Sequence, residues 1–314
     1  MNPCKHKMSV NPEGTAGSGI VSEALDIMPC CAREASHFVL RHGKQIKYII
    51  SLKGGLACLK KTISAYNPKL ALLLRMMPCI PWRALRLCGF GAFAQVHVNP
   101  IVQSYLPDGY AWNVLVGTYN SVQKIVFQCY RSAREACLYV KVGNHCSQKL
   151  MENETNYLRN HGELTNFKLP ELINYLFISE NNKFNILVTK EIPGGKIAPV
   201  LTSELYKISR QIAGDPIWKD GVCYEFSHGD FAPWNIRKYG EQYYVFDWEH
   251  CGMRPMGYDA AHFIIMCEMM LKKADFDAAF SIAEKRLSEL EPNIHLDKNL
   301  IYNEYIKIAH PSVS

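Results

Sequence analysis

The stretch Ser227–Asp247, SHGDFAPWNIRKYGEQYYVFD, carries a spaced pattern: His-Gly-Asp, four residues, Asn, eleven residues, Asp. Two carboxylates and an amide in one short stretch supply the oxygen ligands that a hard cation such as Mg²⁺ prefers. The alternative is that the Asp and Asn side chains only cap turns. The full set at fixed spacing favours a loop that carries chemistry.

This pattern resembles the catalytic loop of the aminoglycoside phosphotransferase and choline kinase family, which is related to the protein kinases. The resemblance implies transfer of phosphate from ATP with Mg²⁺, with Asp230 at the acceptor hydroxyl and with Asn235 and Asp247 as metal ligands. It gives His228 mainly a bracing role in the loop, and general-base catalysis is the second interpretation. Asp259 resembles a structural Asp of the family, although a helix N-cap explains it equally well.

Hydrophobic patterning upstream of the loop predicts the order strand, strand, strand, helix, strand, strand between residues 111 and 189. That order describes an antiparallel sheet with a helix packed on it. Helices are predicted downstream at Ser203–Ala213, Asp259–Lys273, Phe276–Leu290 and Leu300–Ala309. The predicted fold class is α+β: a protein-kinase-like two-lobed fold with an antiparallel-sheet N-lobe, a mainly helical C-lobe and an extra basic N-terminal segment. Its predicted parts are residues 1–107, a basic extension or subdomain of unknown role, 108–192, the N-lobe, and 193–314, the C-lobe.

The third predicted strand carries Lys141, where kinase-like folds place the lysine that holds the α- and β-phosphates. The next helix carries Glu154, and an ion pair between these side chains would hold Lys141 in place. Glu152 is the competing carboxylate on that helix. The alternative is a surface lysine and a solvated glutamate, but the catalytic loop downstream favours the pairing.

The turn Gly117–Ser121 lies between the first two strands of this sheet. Its backbone N–H groups and the side chains of Thr118, Asn120 and Ser121 would cover the phosphates, as in the Ser-bearing loops of the family that it resembles. Without that resemblance the turn indicates only a hairpin. No GxxxxGK[ST] pattern occurs in the chain, which disfavours a P-loop ATPase.

The segment Leu187–Gly194 resembles the family's hinge, where backbone groups bind adenine. The resemblance implies that Thr189 and Glu191 supply the carbonyl and the N–H.

Residues 36–107 contain ten basic and no acidic side chains, although the net charge of the whole chain is only +6. Such a segment suits peripheral contact with a membrane or another anionic surface. A helical subdomain packed on the N-lobe with a solvated basic face is the alternative. Nucleic-acid binding ranks last because no RNA-binding motif accompanies the basic residues.

Twelve cysteines without a CxxC pair, and a start without an apolar signal segment, predict a cytoplasmic location, with the inner membrane face as a peripheral site.

These features predict an enzyme, a kinase that moves the γ-phosphate of ATP to a hydroxyl of a small molecule. The acceptor classes that fit are a sugar, an amino alcohol, an aminoglycoside-like compound or a glycan-related molecule. The alternative is a nucleotide-binding pseudokinase or scaffold that acts through its basic N-terminal segment. The intact Asp, Asn and Asp set favours the enzyme, because a pseudokinase has no need of metal ligands.

Overall fold

A computed structural model of the chain describes residues 19–42, 45–53, 91–131, 138–178 and 184–309. Its largest element is a nine-stranded antiparallel sheet in the order β1-β4-β2-β3-β5-β6-β7-β10-β9. The strands are β1 (Leu25–Pro29), β2 (His37–His42), β3 (Gln45–Ser51), β4 (Gly91–Val98), β5 (Ala111–Val116), β6 (Lys124–Tyr130), β7 (Leu138–Gly143), β9 (Leu172–Ile178) and β10 (Phe184–Lys190), while β8 (Phe167–Lys168) belongs to another sheet.

Two small sheets and most of the helices form the second half of the chain. The helices are α1 (Ile20–Ala24), α2 (Pro100–Gln103), α3 (Gln148–Asn160), α4 (Ser203–Ala213), α5 (Tyr258–Met266), α6 (Phe276–Leu290) and α7 (Lys298–Ala309). One small sheet joins β8 to β11 (Gly195–Lys196), β14 (Ile236–Tyr239) and β15 (Gln242–Val245), and the other contains β12 (Ile217–Lys219), β13 (Val222–Ser227) and β16 (Gly252–Pro255). We call the nine-stranded sheet with α1–α3 the N-lobe, and the small sheets with α4–α7 the C-lobe.

The predicted α+β, two-lobed fold is confirmed. The order of five strands and one helix is as predicted, and α4 and α6 begin and end at the predicted residues. The predicted helix Asp259–Lys273 is present with one irregularity, because α5 ends at Met266 and runs directly into a π-helical turn, Cys267–Leu271, so that helical structure ends at Lys272. Lys273 then adopts a φ of +66°, which a continuing right-handed helix cannot accommodate.

The described strands before residue 107 continue the N-lobe sheet. β3 pairs with β5, and one apolar cluster on a single sheet face contains Val39 and Ile49 from these early strands together with Val140 and Val142 from β7. Because side chains alternate along a strand, Lys141 projects from the opposite face of β7. The early strands therefore widen the sheet whose strand β7 presents Lys141.

The basic segment is described only in part. Six of its ten basic side chains lie in residues 54–90, which are outside the described ranges. Among the residues that the structure describes, no helix is long and apolar enough to cross a bilayer. The expected membrane contact finds no support in the described strands.

Candidate active site

One carboxylate on α5 holds the backbone of the loop that follows β13. Asp259 accepts hydrogen bonds from the Ser227 hydroxyl (2.6 Å), the His228 N–H (2.7 Å) and the Gly229 N–H (3.1 Å). Asp259 is buried, and hydrogen bonds to an ionised carboxylate are stronger than those between neutral groups. The N-cap interpretation of Asp259 is wrong, because Gly257 is the N-cap residue of α5.

Gly229 allows this loop to lie against the segment after Asp247. Its φ is +88°, and a Cβ atom at this position would lie 2.2 Å from the His250 carbonyl oxygen. Only glycine combines this backbone conformation with such a close approach. The middle residue of the His-Gly-Asp pattern must therefore be glycine for steric reasons.

His228 is fully buried, and both of its ring nitrogens are bonded near the loop. Its Nδ1 accepts the Asp230 N–H (3.2 Å), and its Nε2 lies 3.0 Å from the Phe246 carbonyl oxygen, so the ring proton is assigned to Nε2. Burial lowers the pKa of His228, and the nearby carboxylates of Asp259 and Asp230 only partly oppose this effect. These contacts favour the bracing interpretation over general-base catalysis.

The Asp230 side chain is 23% exposed and has a partner on each oxygen. Its Oδ1 lies 2.9 Å from the His262 Nε2, and its Oδ2 accepts from the Asn235 Nδ2 at 2.8 Å. Burial raises the pKa of Asp230, but the hydrogen bond and electrostatic contribution of His262, followed by smaller contributions from His228 and His250, outweigh it and hold the pKa below its usual value. The carboxylate is therefore ionised at neutral pH and can accept a proton.

Asn235 and Asp247 meet at one end of a hairpin. Asn235 directly precedes β14 and Asp247 follows β15, and the pairing of Ile236 with Val245 brings the two positions together. The Asn235 Nδ2 donates to both the carbonyl (2.9 Å) and the carboxylate (2.8 Å) of Asp230. Its Oδ1 is the amide atom that remains for a cation.

Lys141 contacts two carboxylates from different parts of the chain. Its Nζ lies 2.6 Å from the Glu154 Oε2 on α3 and 2.6 Å from the Asp247 Oδ1. Burial lowers the pKa of Lys141, but the charges of Asp247 and Glu154 outweigh it and raise the pKa well above its usual value. Glu152, the competing carboxylate, instead accepts from Gln148 (2.8 Å). The predicted contact between Lys141 and Glu154 is therefore present.

Asp247 has a φ of +69°, in the left-handed region that non-glycine residues rarely adopt. Such a conformation costs about 1–2 kcal/mol and persists only where the surroundings hold it. The Asp247 side chain is 36% exposed, so one carboxylate oxygen can bind Lys141 while the group remains open to solvent.

A second lysine, Lys124 at the start of β6, faces the same acidic group. Its Nζ lies 2.5 Å from the Glu249 Oε2, and the Lys141 Nζ lies 3.5 Å from that oxygen. Burial raises the pKa of Glu249, but the charges of Lys124 and Lys141 outweigh it and place the pKa well below its usual value. Lys124 carries no signal in the sequence beyond its place just after the predicted phosphate turn.

Helix α3 is fixed to the segment after Asp247 by polar and aromatic contacts. The Asn153 Nδ2 donates to the backbone carbonyls of Glu249 (3.0 Å) and Cys251 (2.7 Å). The rings of Tyr157 and Trp248 stack with their centroids 3.8 Å apart. Because α3 carries Glu154, these contacts hold both partners of Lys141 in register.

The remaining predicted residues belong to the loop between β5 and β6 and to the end of β10. Thr118, Asn120 and Ser121 are exposed in the loop between β5 and β6. The Gly117 N–H donates to the Lys124 carbonyl at 2.9 Å and closes this loop.

The predicted hinge lies at the end of β10. Thr189 pairs with Tyr139 of β7, and Glu191 follows the strand directly. Lys190 is tied to Glu171 through its backbone N–H (2.9 Å) and its side chain (2.6 Å). The polypeptide then enters β11, which pairs with β14 beside Asn235.

The donor set fits a hard divalent cation. The carboxylate oxygens of Glu154, Asp247 and Glu249 lie within 4.8 Å of one another, and Lys141 neutralises part of this charge. Asp247 is the most exposed of the three, and the Asn235 amide oxygen lies at the same end of the hairpin. Carboxylate and amide oxygens are the ligands that Mg²⁺ accepts.

No protein-family model matches this sequence, and neither does any curated protein. Solved structures that resemble it include an amicoumacin kinase in complex with AMP-PNP, Ca²⁺ and Ami, at 12% identity and a TM-score of 0.38, covering 67% of this chain and 84% of that one. Another is a thermostable mutant of an aminoglycoside phosphotransferase in its apo form, at 14% identity and a TM-score of 0.43, covering 62% and 85%. A third is a proposed fructosamine-3-kinase from Haemophilus somnus, at 11% identity and a TM-score of 0.40, covering 63% and 85%. All three are named as kinases or phosphotransferases; at these identities and TM-scores, the function of the chain must be inferred from its own site.

Proposed function

We propose that this chain is an ATP- and Mg²⁺-dependent phosphotransferase that moves the γ-phosphate to a hydroxyl of a small molecule. The observation that carries the proposal is the position of Lys141 between Glu154 and Asp247, 2.6 Å from each. Phosphoryl transfer requires mainly positioning and neutralisation of charge, and this arrangement supplies a buried cation beside an open carboxylate.

Asp230 is the residue that we assign to the acceptor. Each of its carboxylate oxygens accepts one hydrogen bond, from His262 or Asn235, and so keeps a second lone pair. The acceptor hydroxyl donates its proton to Asp230 as its oxygen bonds to the γ-phosphorus, and the bond from that phosphorus to the β–γ bridging oxygen breaks. We assign His228 to bracing this loop.

The other site residues are assigned to the nucleotide and the cation. Asn235 and Asp247 would hold Mg²⁺, and Lys141, oriented by Glu154, would bind the α- and β-phosphates. Bound Mg²⁺ supplies neutralisation of the negative charge on the β- and γ-phosphates.

The loop between β5 and β6 and the predicted hinge complete this assignment. Thr118, Asn120 and Ser121 would cover the phosphates, while the backbone groups of Thr189 and Glu191 would bind adenine. Acceptors that fit the proposal are sugars, amino alcohols, aminoglycoside-like compounds and glycan-related molecules.

Thermal unfolding with and without MgATP tests the nucleotide site. Nucleotide at about 100 times its Kd stabilises the folded state by about 2.7 kcal/mol, so we expect the Tm to rise by several degrees. The rise should require Mg²⁺ and should be lost in Asp247→Asn, which removes the charge but keeps the shape. Asp277→Asn, a change at a carboxylate that is 78% exposed, is the matched control. No rise at saturating MgATP would contradict the assignment and favour a scaffold function.

A further inference from the structure

Helix α5 reaches the catalytic loop through two side chains on one of its faces. Asp259 binds the loop backbone, and His262, three residues later, lies 2.9 Å from the Asp230 Oδ1 through its Nε2. Positions three apart are neighbours on a helix surface. The helix therefore fixes both the path of the loop and the side chain of its carboxylate.

The surroundings of His262 define which ring nitrogen carries a proton. His262 is 2% exposed, and its Nδ1 lies 3.3 Å from the Tyr258 hydroxyl oxygen. An ionised carboxylate only accepts hydrogen bonds, so the Nε2 must donate to Asp230. In the neutral ring the Tyr258 hydroxyl then donates to Nδ1. Both nitrogens are thus engaged, and the Nε2–H points at the carboxylate from the interior of the C-lobe.

We propose that His262 is a positioning residue, whose Nε2–H fixes the orientation of the Asp230 carboxylate toward the acceptor hydroxyl. This role rests on the proposed function, and it assigns to α5 a part in the reaction that the sequence pattern did not indicate. His262 itself is buried behind Asp230 and does not touch the acceptor.

Two anchors are needed because the terminal torsion of an aspartate is broad. Asn235 holds Oδ2 at 2.8 Å and His262 holds Oδ1 at 2.9 Å, so together they define the plane of the carboxylate. When one of these two hydrogen bonds is removed, the Asp230 carboxylate can rotate, and its free lone pairs no longer point at the acceptor hydroxyl. Small misplacements of a reacting group lower turnover by up to about 100-fold.

The kinetic test compares two substitutions at one position. His262→Phe removes the donor but keeps a planar ring, and we expect kcat to fall about 10–100-fold while the KM for MgATP changes by less than about twofold. His262→Gln restores an N–H donor at a similar reach and should recover most of the lost kcat. Ile264→Ala, a buried position two residues further on α5 and therefore on another face, controls for lost stability and should keep the wild-type kcat.

Unchanged kcat in His262→Phe would overturn the positioning role, and so would a kcat in His262→Gln as low as in His262→Phe. Loss of kcat in Ile264→Ala equal to that in His262→Phe would also overturn it, because general destabilisation would then explain the effect.

A second measurement does not depend on turnover. In ¹H–¹⁵N spectra of protein labelled at histidine nitrogen, with His262 assigned from the His262→Gln variant, we expect a proton on Nε2 and a shift of that signal in Asp230→Asn. A His262 ring without a proton on Nε2 would overturn the inference alone, even if the wild-type protein transfers phosphate. Conversely, an intact His262–Asp230 signal in a protein that transfers no phosphate would overturn the proposed function and the positioning role with it.

Discussion

Asp230→Asn is expected to lower turnover by about 10²–10⁴-fold, the usual contribution of a side chain that accepts a proton in the transition state. The amide has nearly the same shape as the carboxylate, but it cannot take the proton from the acceptor hydroxyl. The KM for MgATP should change little, because we assign the nucleotide and the cation to Lys141, Asn235 and Asp247. Initial rates of phosphate transfer at saturating MgATP measure the effect.

The matched control for this prediction is Asp277→Asn, at a position 78% exposed and paired with Lys298 at 3.0 Å. Its turnover should equal that of the wild-type protein. A turnover of Asp230→Asn equal to that of the control would remove Asp230 from the reaction.

Lys141→Met should have the largest effect on folding. The Lys141 and Glu154 side chains are only 15% and 5% exposed, and removing one partner of a buried ion pair costs about 3–5 kcal/mol because the other charge stays buried and unpaired. The free energy of unfolding, measured in urea, should fall by this amount. The variant should also lose the MgATP-dependent rise in Tm, since Lys141 is assigned to the phosphates.

The loss of unfolding free energy in Lys141→Met should depend on pH, and the direction of that dependence follows from Glu154. Burial raises the pKa of Glu154, and Lys141 opposes that effect in the wild-type protein. Without Lys141 the folded state binds the Glu154 proton more tightly than the unfolded chain does. The deficit in unfolding free energy relative to wild type should therefore be smallest below the unfolded pKa of a glutamate, about 4.3, and should grow as the pH rises through the raised folded pKa.

Two further variants test the cause of this effect. Glu152→Gln changes the other helix carboxylate, which accepts from Gln148 rather than from Lys141, and should cost less than about 0.5 kcal/mol. The double variant Lys141→Met with Glu154→Gln removes the unpaired charge and should recover much of the loss. A deficit that is the same at every pH would show that lost packing, and not an unpaired carboxylate, destabilises Lys141→Met.

The parts of the site that could be predicted from the sequence lie on elements that are close together in the chain. Lys141 and Glu154 belong to a strand and the helix that follows it, and the resemblance to kinase-like folds implied their pairing. The spacing of Asp230, Asn235 and Asp247 belongs to one loop and the adjoining hairpin β14–β15. In the structure the predicted contact between Lys141 and Glu154 is present, and Asn235 contacts Asp230.

Contacts between distant segments could not be predicted in the same way. His262 meets Asp230 only because α5 packs against a loop more than thirty residues earlier in the chain, and Asp259 fixes that packing. The pairing of Glu249 with Lys124 spans both lobes. In each case the residue type is common, and its partner is defined by tertiary packing alone.

Strand β4 of the N-lobe is another element that its own residues do not predict. β4 has the sequence GAFAQVHV, in which Gly and Ala have low β-propensity, and its partners β1 and β2 lie far upstream. Such a strand is stabilised by its neighbours in the sheet rather than by its own residues. Residues 36–107 therefore indicated a basic segment in the sequence, while the strands in their described part add to one edge of the sheet that contains Lys141.

Direct detection of phosphate transfer tests the central claim. The purified chain is incubated with Mg²⁺, ATP labelled at the γ-phosphate and a panel of sugars, amino alcohols and aminoglycoside-like compounds, and label in each acceptor is measured beside Asp230→Asn. We predict label in at least one hydroxyl compound, dependent on Mg²⁺ and greatly reduced in the variant. Nucleotide binding without label in any acceptor would contradict the assignment as a phosphotransferase.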